Sequence, residues 1–141
     1  MILNCNFEEL QALVSGADLL LAGAGDPSQS AVVAPAEALA EVELLRPRLN
    51  GSLSIDTLAR QQSVRGAVAA ICEELHDRLE EKVVEYHPAH EEAVLLYFDY
   101  AHAIAVLSRL DEMGAEMRGL IELMTGSPPT TATAAGVTFP D

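Results

Sequence analysis

Residues 93 to 107 read AVLLYFDYAHAIAVL, and within them only Asp99 and His102 can carry charge near neutrality. A helix with one wetted side shows polar residues there every three or four positions. This stretch is apolar around nearly its whole circumference, so nearly all of it needs cover. One partner helix cannot supply that. Either the earlier helices wrap the segment or a second copy of the chain does. The expectation is both together, in a two-fold homodimer with Leu95, Phe98, Ile104 and Val106 at its interface.

The rest of the chain reads as the frame for this helix. Leu3, Cys5 and Phe7 alternate as on a short strand, and Asn6 with Glu9 resembles a capping box. Leu10, Leu13, Val14, Ala17, Leu20 and Leu21 then recur at helical spacing, which predicts a helix over 7–22. Gly16 inside it costs about 1 kcal/mol relative to alanine. The loop GAGDPSQS follows a helix rather than a strand, so it is a stop and a turn, not a phosphate cradle. Pro35 opens a second helix with Leu39, Val42, Leu45 and Leu49 on one side, closed at RPRLNG. Asp56 is placed to cap a third helix, striped by Val64, Val68, Ile71, Leu75 and Leu79. Opposite lies a solvated face holding Glu74 and Arg78. Pro88 interrupts that helix, and Gly126 before two prolines stops the next.

The predicted fold is therefore mostly α. A long antiparallel hairpin, about 57–86 and 89–125, packs with two shorter N-terminal helices. A small β-sheet is expected from short strands near 2–6, 31–33, 52–55 and 137–139. Residues 1–126 form one domain, and 127–141 a flexible or strand-forming tail.

Charge and composition exclude several function classes. Eight basic residues against 22 acidic ones leave a formal charge of −14, which repels phosphate backbones, so nucleic acid is not an expected partner. An acidic surface suits cations or a basic protein. No run of eighteen apolar residues lacks a charge, and the first positive residue is Arg46. The expectation is a cytoplasmic protein with no membrane partner. Cys5 and Cys72 lie far apart and read as small hydrophobes. Acidic neighbours oppose a nucleophilic Cys72 beside His76.

One constellation points to chemistry. Glu73 and His76 are three apart on the third helix, and Asp99 and His102 three apart on the fourth. Folding the chain at His87–Pro88 brings both pairs level, about 18 Å from the bend. Two carboxylates and two imidazoles suit Fe, Mn or Zn. Bundles that hold two irons use Glu-x-x-His on two helices, but no bridging acids are evident on the earlier helices here. The same pairs are more readily explained as ordinary residues at the edge of a helix stripe. His87 and His90 flank the bend and read as solvated.

With no catalytic set, the expected function is that of a small, acidic, oligomeric helical protein. It would act as a non-catalytic interaction module (an accessory subunit, adaptor or immunity-type inhibitor), without a cofactor. The alternative is a carboxylate/histidine metal bundle for storage or di-metal oxidation built on Glu73, His76, Asp99 and His102.

Overall fold

The computed structural model describes residues 1–23, 36–85 and 90–126. Its elements are β1 (Ile2–Leu3), α1 (Phe7–Gly23), α2 (Ala36–Leu45), a 3₁₀ turn (Arg46–Arg48), β2 (Leu53–Ser54), α3 (Leu58–Glu85) and α4 (Glu91–Thr125). The protein is mostly α, with a long α3/α4 pair packed against shorter N-terminal helices. The strands expected near 31–33 and 137–139, the tail and the bend at 86–89 lie outside the described residues.

Local signals set the helix ends. The capping box is reciprocal: the Asn6 amide donates to Glu9 Oε1 at 2.9 Å, and the Glu9 amide donates to Asn6 Oδ1 at 2.8 Å. Gly126 closes α4 in the left-handed region, φ 72°, and donates its amide to the Glu122 carbonyl at 2.8 Å. At the start of α3 the cap is Thr57 rather than Asp56. Thr57 Oγ1 accepts the Arg60 amide at 3.0 Å, while Asp56 instead receives the Ser54 hydroxyl. Either side chain can cap, and the backbone enters the helix one residue later than expected.

Among the described residues the small sheet has two strands. Leu3 pairs with Leu53 and Ile2 with Ser54, antiparallel, and the Ile55 amide extends the ladder to the Met1 carbonyl at 2.8 Å. Leu3, Leu53 and Ile55 point inward. Phe7 does not share their face and is exposed, because the chain has already turned into α1 and strand alternation no longer governs it.

α3 is the centre of the molecule, with α4 along one flank and α1 and α2 along others. Leu13, Leu20, Leu45, Ile55, Ile71, Leu75 and Leu110 are fully buried between these elements. That position corrects one expectation. Glu74, on the side of α3 predicted to be solvated, has no exposed surface. Arg78 Nε donates to its Oε2 at 2.7 Å.

Gly16 marks where α1 crosses α3. A Cβ there would stand 2.4 Å from Ile71 Cγ2 and 3.2 Å from Leu75 Cδ1. The glycine that weakens α1 as a helix is what lets it close on α3. A similar contact joins α3 to α4. Buried Gln61 donates Nε2 to the Leu110 carbonyl at 2.6 Å, and a Cβ on Gly114 would lie 2.7 Å from the same nitrogen.

Contacts between α3 and α4 show the register of the hairpin. Lys82 meets Glu92 at 3.2 Å, the His76 and Tyr100 rings lie 5.4 Å apart, and Arg65 meets Asp111 at 2.9 Å. Each pair is nearly equidistant from residues 87 and 88, as an antiparallel pair of helices requires.

Candidate functional site

α4 carries the feature that the sequence singled out, and the described residues cover only part of it. Ala103, Val106, Leu110, Met113 and Met117 are buried along the inner side, facing α3 and α1. α2 packs on α3 and α1 and so does not close the opposite side. There Tyr97 is 56% exposed, Phe98 54% and Ile104 37%, while Leu95, 57% exposed, stands in the row of His102 and Arg109. Of the four expected interface residues, Val106 is therefore inside the subunit, while Leu95, Phe98 and Ile104 are on its surface.

Spacing of seven, two helical turns, arranges the outer side in rows. Glu91, Phe98, Ala105 and Glu112 form one row, Val94, Ala101 and Ser108 the next, and Tyr97, Ile104 and Asp111 a third. The middle is apolar and low in relief, since alanine and serine fill much of it. Acids stand at both ends. By length and composition alone α4 could also cross a bilayer, and only 22% of its most apolar window is buried.

Beside this face, α3 and α4 enclose an open groove of about 550 Å³. Tyr100, Ile104 and Leu107 line one wall, and Ala69, Cys72 and His76 the other. Cys72 does not offer a nucleophile. Burial, opposed by Arg65 and reinforced by Glu73, pushes its thiol up to about 12, so the thiolate is negligible at neutral pH. Both cysteines are free thiols.

The four candidate metal ligands are not gathered at one point. His76 is tied along its own helix, with Nδ1 3.3 Å from Asp77 Oδ1 and Nε2 3.6 Å from Glu80 Oε1. Among the described residues the ligand atoms that do converge, within 4.8 Å, are those of His76, Asp77 and Glu80. All three come from one helix and are partly or largely open to water. Glu73 lines the groove nearby. Asp99 and His102 neighbour each other: burial raises the Asp99 carboxyl, and the imidazole partly offsets this. His102 faces Glu9 of α1 as well, close enough to favour its charged form. His90 caps α4, its Nδ1 accepting the Glu92 amide at 3.2 Å.

Sequence reasoning missed Arg109, whose partners lie far away along the chain. Its guanidinium donates to the Glu9 carboxylate and to the Asn4 carbonyl, fastening α1 and the N-terminal strand to α4. No periodicity could have paired them. Burial would raise the Glu9 carboxyl, but Arg109 and the Asn6 amide outweigh it and hold the carboxyl below its usual range. The sign follows: the stabilisation is complete above the unfolded carboxyl's pKa, about 4.3, and is lost as pH falls through the lower folded value. Glu9→Gln keeps an acceptor for the capping box and removes the charge. Wild type and variant should therefore differ most in urea midpoint near neutrality and converge as pH drops below about 4. A difference that does not shrink with acid would contradict this.

The chain matches no protein-family model, and no curated protein or solved structure shows significant similarity to it.

Proposed function

We propose that this protein is a non-catalytic protein–protein interaction module working through the outer face of α4. The observation that supports the reading is the exposure of Tyr97 and Phe98, whose rings lie 5.9 Å apart, with Leu95 and Ile104 to either side of them on one helix. Folded monomers rarely leave contiguous apolar patches beyond roughly 300–600 Å², and such patches tend to mark contact sites. Aromatic residues at the centre of the patch are the type that anchors interfaces. Nothing in the adjoining groove supplies an activated nucleophile, and the groove is open rather than enclosed.

A photo-crosslinking residue placed at Phe98, compared with one at Glu81 on the exposed side of α3, tests the reading in cells of the native host. Position 98 is expected to give a discrete protein adduct, to self or to another chain, and position 81 none. The adduct should vanish when Ile104→Glu is added, while the melting temperature stays within about 2 °C, because the side chain is at the surface. Absence of any adduct at position 98 would overturn the proposal.

A further inference from the structure

The charges that bracket the face say what should sit on it. Glu91 and Glu112 lie at the two ends of the row containing Phe98 and Ala105, about 30 Å apart along the helix. Asp111 closes the Tyr97 row, with Arg118 one spacing further on. Between Glu91 and Glu112 these rows contain no basic residue, and the bases beside that span are engaged. Arg65 is paired with Asp111, Lys82 with Glu92 and Glu85, and Arg109 with Glu9. Glu91 and Glu112 form no salt bridge among the described residues.

A second copy fits this pattern poorly. Glu91 and Glu112 are equidistant from the middle of their own row, midway between Phe98 and Ala105. An antiparallel two-fold pairing centred there sets Glu91 of each copy against Glu112 of the other. A parallel pairing sets each acid against itself. Sliding the register to escape brings an acid onto the apolar middle, which costs desolvation. Two bodies of formal charge −14 also repel at long range. An anionic bilayer meets the same repulsion.

We propose that the occupant is a cationic amphipathic helix of another protein, with an apolar stripe that lies along Phe98, Ala101 and Ala105 and with Lys or Arg at both ends reaching Glu91 and Glu112. The small side chains of Ala101, Ala105 and Ser108 let such a helix approach closely. One bulky apolar side chain can enter the groove beside Ile104 and Leu107. The bases supply charge complementarity, which sets specificity and association rate more than raw affinity. This inference rests on the interaction reading above.

The test uses two synthetic helical peptides of roughly 21 residues with the same Leu/Ala stripe, one ending in lysines and the other in glutamates. Fluorescence anisotropy with the full chain is expected to show saturable binding of the lysine peptide, with Kd on the order of tens of micromolar, and no binding of the glutamate peptide. Raising NaCl from about 50 mM to about 500 mM should weaken it about tenfold. Phe98→Glu should abolish it, and the double variant Glu91→Lys/Glu112→Lys should reverse the preference between the peptides. Equal binding of both peptides, or of neither, would overturn the inference. So would a dimer in sedimentation velocity that Phe98→Glu dissolves, or Phe98-dependent binding to phosphatidylglycerol vesicles. A crosslink to self at position 98 with no lysine-peptide binding sinks the inference alone, whereas no adduct of any kind at that position sinks the interaction reading.

Discussion

Arg78→Ala is expected to destabilise the protein by about 3 kcal/mol, measured as a drop in the urea midpoint at neutral pH with an unchanged slope. Glu74 has no exposed surface, and the Arg78 guanidinium, itself 22% exposed, donates to its carboxylate at 2.7 Å. Taking Arg78 away leaves an anion in the interior with less compensation, and breaking such a pair costs about 3–5 kcal/mol. Glu74 makes a further interaction besides Arg78, which argues for the lower end of that range. Adding Glu74→Gln to Arg78→Ala should recover part of the loss, since a buried neutral amide is cheaper than a buried carboxylate. A double variant less stable than Arg78→Ala would refute the account. The pair's value also differs from that of the exposed Arg46–Asp18 contact at 2.8 Å, whose removal should change stability by well under 1 kcal/mol.

The second large effect concerns the crossing of α1 over α3. Ile71 is fully buried, and its Cγ2 would stand 2.4 Å from a Cβ on residue 16. Ile71→Ala should cost about 3 kcal/mol, the sum of lost transfer energy and the cavity left behind. Gly16→Ala alone should cost roughly 1–2 kcal/mol. Overpacking against Ile71 and Leu75 outweighs the gain of about 1 kcal/mol that alanine brings to a helix. Together the two changes should cost at least about 1 kcal/mol less than their sum, because the new methyl occupies the space that Ile71 vacated. Strict additivity in the double-mutant cycle would mean that the helices separate instead of clashing.

These residues also mark what the sequence could and could not convey. Signals carried within a few residues were legible: the Asn6/Glu9 capping box and the Gly126 cap. Glu74 was not. A helical wheel divides α3 into an apolar and a polar side, but it does not tell how many sides have neighbours, and α3 is flanked by three other helices. Gly16 looked like a blemish because its reason, the nearness of Ile71, is 55 residues away (71 − 16). The pairing of Arg109 with Glu9 spans still more chain. The proposed ligand set failed to gather for a related reason. Being level along a hairpin says nothing about which way each helix is rotated: His76 meets Tyr100, while His102 turns toward α1. For α4 the composition gave the expectation that nearly all of it needs cover. It could not say that α2 would pack elsewhere and leave one side open.

The latch made by Arg109 has a consequence for the order of assembly. It joins residues 100 positions apart, so during synthesis α1 emerges long before its anchor exists. At about 5–20 residues per second that interval is on the order of 5–20 seconds. Leu13, Ala17 and Leu20, all destined for the interior, gain cover from α2 and α3 first and from α4 only at the end of that interval. Completion of this fold on the ribosome therefore waits on its last helix, and destabilising changes near Arg109 should lower yield through aggregation of nascent chains more than they lower the stability of protein already folded.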